Sequence, residues 1–156
     1  MSTYATTEQA LLTLLVSYGY SAQHAARGDF SILNNAGVTQ AVVLLQARPS
    51  VFAFDLGEGR GSHGKRQQRH WIALIVYQAR GQNNDGVTYT ALAGQTDGII
   101  VHLDKYPLLN SAANVKRAEV VEASEPRIRR DKPWIYQMLL LEVTTETAIA
   151  AVESIR

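Results

Sequence analysis

Three segments of the chain are apolar at nearly every position, whereas a strand with one face in water alternates apolar and polar residues. They are Ala41–Ala47, Trp71–Ala79 and Trp134–Val143. Strands that are apolar on both parities predict a sheet with cover on both faces. The chain has too few helical segments for that task. We therefore expect another copy of the same chain to cover the second face.

Two segments carry the three- and four-residue spacing of apolar positions that is typical of an amphipathic helix. The first follows Thr6 and Gln9, which form a capping-box pattern, and ends at Gly19. The second begins near Asp85 and ends before Pro107. These two helices predict cover for one face of the sheet.

Shorter segments complete the pattern. Ser21–Arg27 predicts a short helical turn, and Val115–Ala123 predicts an edge strand or a strand at an interface. Thr145–Arg156 predicts a C-terminal extension that begins with a helical turn. The order of elements predicts a single domain over residues 1–156 with an α+β fold, in which two long β-hairpins form a mixed or antiparallel sheet covered by two principal helices.

Composition narrows the functional class. The 156 residues contain no cysteine, which excludes disulfides and thiolate metal sites. No secretory leader is recognisable, and no apolar run approaches the ~20 residues that cross a bilayer. The net charge of +1 gives no global electrostatic reason to bind nucleic acid, so any such contact is expected to be local.

The positive charges concentrate in two loops. The first is a glycine-rich hairpin loop at residues 56–70, and the second, at residues 125–133, precedes the last strand. Their cations are the candidate interaction residues: Arg60, Lys65, Arg66, Arg69, Arg127, Arg129, Arg130 and Lys132. Such loops contact acidic surfaces of partner subunits, bind phosphates, or only keep the surface solvated, and the sequence leaves these interpretations open.

Catalytic patterns are weak. Gly59–Arg66 matches the phosphate-binding P-loop except at its last position, where Arg66 replaces the hydroxyl residue that holds magnesium, and a strand is expected to follow instead of a helix. The four histidines have no metal-ligand spacing, and His63 and His70 are expected to be exposed loop residues. We therefore predict no enzymatic activity, no catalytic or metal site and no cofactor.

Four parts of the sequence carry a resemblance to a known family. They are the N-terminal amphipathic helix, the strand containing HWIALIVYQAR, the helix carrying TALAGQTDGIIVHLDKYPLL and the closing VKRAEVVEASEPRIRRDKPWIYQMLLLEVTTET. In the order and length of their elements, and in their pattern of apolar and charged residues, they resemble tail terminator proteins of long-tailed, siphovirus-type phages, or a closely related neck or tail-completion protein.

The resemblance implies a structural virion protein, assembled in the cytoplasm of the bacterial host. It implies a homo-oligomeric ring, a hexamer in this family, that ends polymerisation of the tail tube at its head-proximal end and joins the tail to the head. The implied partners are further copies, the tail tube protein and the head-closure or connector protein, with DNA only as cargo passing through the ring. The alternatives are another neck or tail protein, such as a head-closure or tube subunit, and a small nucleic-acid-binding accessory protein that uses the two arginine-rich loops.

Overall fold

The computed structural model describes residues 4–20, 25–34, 37–55, 64–80, 85–109, 114–129 and 134–149. Within these ranges the elements follow in this order: α1 (Tyr4–Tyr18), β1 (Ala25–Arg27), a 3₁₀ helix (Phe30–Asn34), β2 (Gln40–Asp55), β3 (Gly64–Ala79), α2 (Asp85–Lys105), β4 (Val115–Ala123), β5 (Arg127–Arg129) and β6 (Trp134–Ile149). The α+β class and the two principal helices expected from the sequence are confirmed.

The described strands form one mixed sheet. Its order is β1-β2-β3-β6-β4, and β5 pairs separately with β6. β1 runs parallel to β2, and the other pairs are antiparallel. β3 is the central strand because it pairs with β2 on one side and, from Gly64 opposite Ile149 to Ala79 opposite Trp134, with β6 on the other.

Both helices end where the local sequence predicts. α1 stops before Gly19, whose φ of 141° lies in the region that favours glycine, and the Gly19 N–H donates to the Val16 carbonyl at 3.2 Å. α1 begins at Tyr4, two residues before the predicted capping residue Thr6. α2 ends at Lys105, just before the proline that cannot continue a helix.

Both helices pack on the same face of the sheet, which we call the helix-covered face. Leu11 and Leu15 of α1 and Leu92 and Ile99 of α2 are fully buried there. Because successive strand residues point to opposite faces, apolar residues at alternate positions in the middle of the three long strands meet the helices. These strand residues are Val42, Leu44, Ile72, Leu74, Val76, Ile135, Leu139, Leu141 and Val143.

The opposite face, which we call the open face, is covered by the chain itself at one end. A second apolar cluster is centred there, in which Ile32 and Leu33 of the 3₁₀ helix are buried together with Val38. The strand residues of this cluster are Ala41, Val43, Tyr77 and Trp134. The expectation that another copy must cover this whole face is therefore too broad, because the five-residue 3₁₀ helix and Val38 cover part of it.

The first hairpin is longer than predicted. Residues 64–70, expected in the basic loop, belong to β3, and β2 extends to Asp55, so only residues 56–63, which lie outside the described residues, remain to connect the two strands. The prediction of a loop was wrong for residues 64–70 because their polar side chains hide a backbone that pairs with strands on both sides.

Two predicted helical turns are strands instead. Ala25–Arg27 forms β1 beside β2, whereas residues 21–24 lie outside the described residues. Thr145, expected to cap a terminal helical turn, lies inside β6, which continues to Ile149. Three threonines in Thr144–Thr147 favour this outcome, since β-branched side chains fit an extended backbone. Residues 150–156 of the predicted extension lie outside the described residues.

Candidate assembly surfaces

Part of the open face has no cover within the described residues. Leu45, Ile75 and Tyr136 are half-buried, and Met138 is 40% exposed, although its neighbour Leu139 is fully buried on the other face. Ile75 lies opposite Met138 in the register of β3 and β6. We call Leu45, Ile75, Tyr136 and Met138 the open-face patch. It is an apolar surface in the middle of the sheet that another molecule can contact.

Polar and aromatic side chains border this patch towards the β2–β3 hairpin. The Trp71 indole N–H donates to Glu142 Oε2 at 3.3 Å, and Arg69 Nε lies 3.5 Å from Glu142 Oε1. The guanidinium carbon of Arg48 lies 5.4 Å from the centroid of the Trp71 ring, in cation–π geometry. Because Arg69 is 55% exposed, its ion pair contributes roughly 0.2–1 kcal/mol, which is too little to hold the sheet together.

The predicted basic residues lie on different elements. Arg69 of β3 is on the open face, whereas Arg66 is on the helix-covered face, with its guanidinium carbon 5.8 Å from the centroid of the Phe52 ring. Arg127 of β5 lies opposite Tyr136. The backbones of Lys65 and Arg129 belong to β3 and β5, and Arg60, Arg130 and Lys132 lie outside the described residues.

The structure does not bring the described basic residues of the two loops together. Arg66 lies opposite Thr147 and Arg127 opposite Tyr136, so their partners are 11 residues apart on β6. At about 3.4 Å per strand residue this separation is about 37 Å along the sheet. The two groups therefore belong to opposite ends of the sheet and do not form one continuous basic groove among the described residues.

A buried polar cluster at the hairpin end was missed by the sequence analysis. His70, predicted to be exposed, is 1% exposed, and its Nδ1 lies 2.6 Å from Ser50 Oγ. Gln68 and Thr145 are also buried, opposite each other in register. Gln68 Oε1, His70 Nε2 and Thr145 Oγ1 have no hydrogen-bond partner among the described residues. The alternation of side chains along a strand could have predicted this cluster, because Gln68 and His70 point to the same face as the buried Ile72.

The start of α1 packs beside this cluster. The Tyr4 ring lies edge-on to His70 with centroids 6.0 Å apart, and the Tyr4 hydroxyl donates to Glu8. Glu8, 6% exposed, is in turn paired with Arg27 Nε at 2.6 Å. Burial is the main cause that raises the pKa of Tyr4 and lowers the pKa of His70. These contacts join α1, β1 and β3.

No family model and no curated protein matches the chain. Among solved structures, it is similar to a chain described as the sheath/tube terminator, in the extended state, of the extracellular contractile injection system PVC. The fold resembles that of a sheath/tube terminator. The TM-score is 0.55 and the identity 16%, and the match covers 95% of this chain.

This match confirms the terminator-like fold that the sequence resemblance implied. At 16% identity it shows the fold alone, and the chain spans 57% of the length of that terminator. The neighbour comes from a contractile system, so the match does not support a siphovirus-type terminator in particular. In the part of the chain that the structure describes, no helix is long and apolar enough to cross a membrane.

Proposed function

We propose that this chain is a non-enzymatic structural protein that terminates tail assembly. It forms a ring at the head-proximal end of the tail tube, stops polymerisation of the tube and joins the tail to the head, so that it becomes part of the virion. The observation that carries the proposal is the terminator-like fold, which extends over 95% of the chain. The ring is proposed as a hexamer because the family that the sequence resembles forms six-membered rings.

The open-face patch is the proposed contact between neighbouring copies. A cyclic ring uses two different surfaces of each subunit, and an apolar surface that loses its contact with water supplies the affinity. The residues that border the patch, Arg48, Trp71 and Glu142, carry exposed or half-buried polar groups. Such polar borders set orientation and encounter rate more than affinity.

The two basic groups are proposed to face different partners. Arg127 and Arg129 belong to β5 at one end of the sheet, whereas Lys65, Arg66 and Arg69 belong to the part of β3 at the other end. Arg60, Arg130 and Lys132, which lie outside the described residues, are assigned to these two groups by their place in the sequence. A terminator has two different neighbours along the tail axis, the tube on one side and the head-closure ring on the other. The separation of about 37 Å between Arg66 and Arg127 along the sheet supports this division.

The test is tail length in the bacterial system that produces these tails. Deletion of the gene should give overlong tubes that are not joined to heads, and the unchanged chain should restore normal particles in electron micrographs. The variant Met138→Lys, which places a charge in the open-face patch, should remain folded but fail to restore them. The matched control is Val101→Lys, since Val101 is 55% exposed on α2, away from the patch, and this variant should restore normal tails.

Native mass spectrometry, together with the salt dependence of the oligomer and of nucleic-acid binding, distinguishes this proposal from the alternatives. A salt-independent ring without bound nucleic acid supports termination, although some ring proteins close only on their partner, so the measurement includes material taken from particles. Tails of normal length after deletion of the gene would overturn the proposal. A monomer with a nucleic-acid affinity that falls steeply with salt would instead support the accessory-protein alternative.

A further inference from the structure

A cleft of about 440 Å³ lies between the end of α1, the middle of α2 and the start of β2. Its described lining residues are Tyr18, Gly19, Tyr20, Gln40, Ala91, Gly94 and Gln95. None of them is charged, and the volume is within the range of about 300–1,000 Å³ that is typical of ligand sites. The lining therefore disfavours an ionic ligand and leaves room for a bulky uncharged group.

Two glycines keep the cleft open. A Cβ at Gly19 or Gly94 would meet no heavy atom within 4 Å, so each position faces unoccupied space. Gly98, one turn further along α2, is different because a Cβ there would collide with the Tyr18 hydroxyl. Gly98 is thus explained by packing inside the subunit. Among the described residues, no contact explains Gly94, although glycine inside a helix costs stability relative to alanine.

The aromatic wall of the cleft is held in place. The Tyr18 and Tyr20 rings lie with centroids 6.2 Å apart and planes inclined by 34°. Tyr20 is 6% exposed, and its hydroxyl donates to Gln95 Oε1. Tyr18 also packs against His102, with centroids 4.8 Å apart. A wall fixed in this way is preorganised to pack against an apolar side chain.

An amide network presents a hydrogen-bond acceptor at the rim. Gln95 Nε2 donates to the Tyr77 carbonyl at 3.2 Å and to Gln78 Oε1 at 3.4 Å, and Gln40 Nε2 donates to Gln78 Oε1 at 3.0 Å. These bonds fix the Gln40 amide with its nitrogen towards the network. Within the described part of the chain, Gln40 Oε1 has no partner, so it is available to accept an N–H group.

We infer that this cleft binds an extended, uncharged segment of a partner protein. A bulky apolar side chain of that segment lies over Gly94 against Tyr18 and Tyr20, and a backbone N–H of the segment donates to Gln40 Oε1. A peptide supplies both an apolar side chain and a backbone N–H, whereas an anion finds no cation among the described lining residues. This inference does not depend on the proposed role in tail termination.

The test is a titration of the isolated protein, followed by the ¹⁵N–¹H NMR signals of Gly19, Gly94 and the Gln40 side-chain amide. The probe is the peptide acetyl-Ala-Ala-Phe-Ala-Ala-amide, and the comparison peptides carry Ala or Glu in place of Phe. The Phe peptide should give saturable shifts at these signals with a Kd in the millimolar range or tighter. The Ala and Glu peptides should bind at least tenfold more weakly.

Matched variants of α2 locate the site. Gly94→Leu fills the cleft and should weaken binding of the Phe peptide at least tenfold, with an unchanged circular dichroism spectrum. Ala93→Leu introduces the same side chain one residue away, at an exposed position outside the lining, and should bind like the unchanged protein. Gly94→Ala keeps the variant set informative if Gly94→Leu fails to fold, because it should raise the melting temperature and weaken binding by less than Gly94→Leu would.

Several results would overturn the inference. They are the absence of saturable shifts, equal binding of the Phe and Glu peptides, shifts confined to the open-face patch, and equal loss of binding in Gly94→Leu and Ala93→Leu. None of these measurements uses tails or heads. A failure here therefore leaves the tail-length test standing, and a failure of that test leaves this one standing.

Discussion

The two faces of the sheet are built from the same strands but are covered by very different elements. Among the described residues, two helices of 15 and 21 residues cover one face, whereas a 3₁₀ helix of five residues and Val38 cover one end of the other. Apolar residues on both parities of a strand therefore indicate that both faces need cover from water. They do not report whether a helix, a short turn or another subunit excludes it.

Neighbouring residues of β6 give the sharpest comparison of the two faces. Leu139 is fully buried under the helices, and Met138 is 40% exposed in the open-face patch. Leu139→Ala should lower the free energy of unfolding by roughly 2–5 kcal/mol, because it removes packed methyl groups and leaves a cavity. Met138→Ala should cost less than about 1 kcal/mol, since much of that side chain is already in water. Urea denaturation measures both changes in unfolding free energy, with the slope of that free energy against urea concentration expected to be the same in the variants and the unchanged chain.

Equal losses in the two variants would break this comparison. They would mean that Met138 is buried in the free protein, and hence that copies of the chain already cover the open-face patch before any tail is present. Repetition of the denaturation at several protein concentrations decides that case, because the stability of an oligomer depends on concentration.

The buried histidine makes the stability of the helix-covered face depend on pH. Burial lowers the pKa of His70 below its ordinary value of 6.5, so below pH 6.5 the unfolded chain binds more protons than the folded chain. Stability from this group is complete above pH 6.5 and should fall as the pH is lowered from 6.5 towards 5. One proton limits the slope to about 1.4 kcal/mol per pH unit.

His70→Gln is the control for this effect, since glutamine does not titrate but can still bond to Ser50. Its unfolding free energy should vary less with pH between 5 and 6.5 than that of the unchanged chain. The same slope in both proteins would assign the pH dependence to groups other than His70.

Much of the helix-covered face could be predicted from the sequence. Apolar spacing and the end signals Gly19 and Pro107 located both helices, and Val115–Ala123 is a strand with the predicted bounds. These signals are local, because a cap or a periodic stripe requires only neighbouring residues. Strand pairing between distant parts of the chain was harder to predict. Residues 64–70 and Thr145–Ile149 are strands because β3 and β6 pair there, and residues 65–69 also pair with β2; no short sequence window contains these partners.

The candidate surfaces were predicted less well for the same reason. The sequence located the basic residues but not their separation, which depends on the register of β6 with β3 and β5. Cover of the open face by Ile32 and Leu33 was missed because five residues are too few for a periodic pattern. The cleft at Gly94 combines three distant parts of the chain, and only the folded arrangement brings them together.

The smallest expected change in stability comes from the basic residues in β5, at one end of the sheet, and directly after it in the sequence. Joint replacement of Arg127, Arg129 and Arg130 by alanine should leave the protein soluble and folded, because Arg127 is exposed and surface changes usually alter stability by less than about 0.5 kcal/mol each. If this end of the subunit contacts a partner, the triple variant should nevertheless give tails that are overlong or not joined to heads. Each exposed ion pair is worth only about 0.2–1 kcal/mol, so the single variants are expected to give normal tails.

A matched variant, Lys116→Ala with Arg117→Ala, removes exposed cations of β4 and should give normal tails. Normal tail length and normal joining in the Arg127, Arg129 and Arg130 variant would exclude these residues from the contact and leave the open-face patch as the surface that sets assembly.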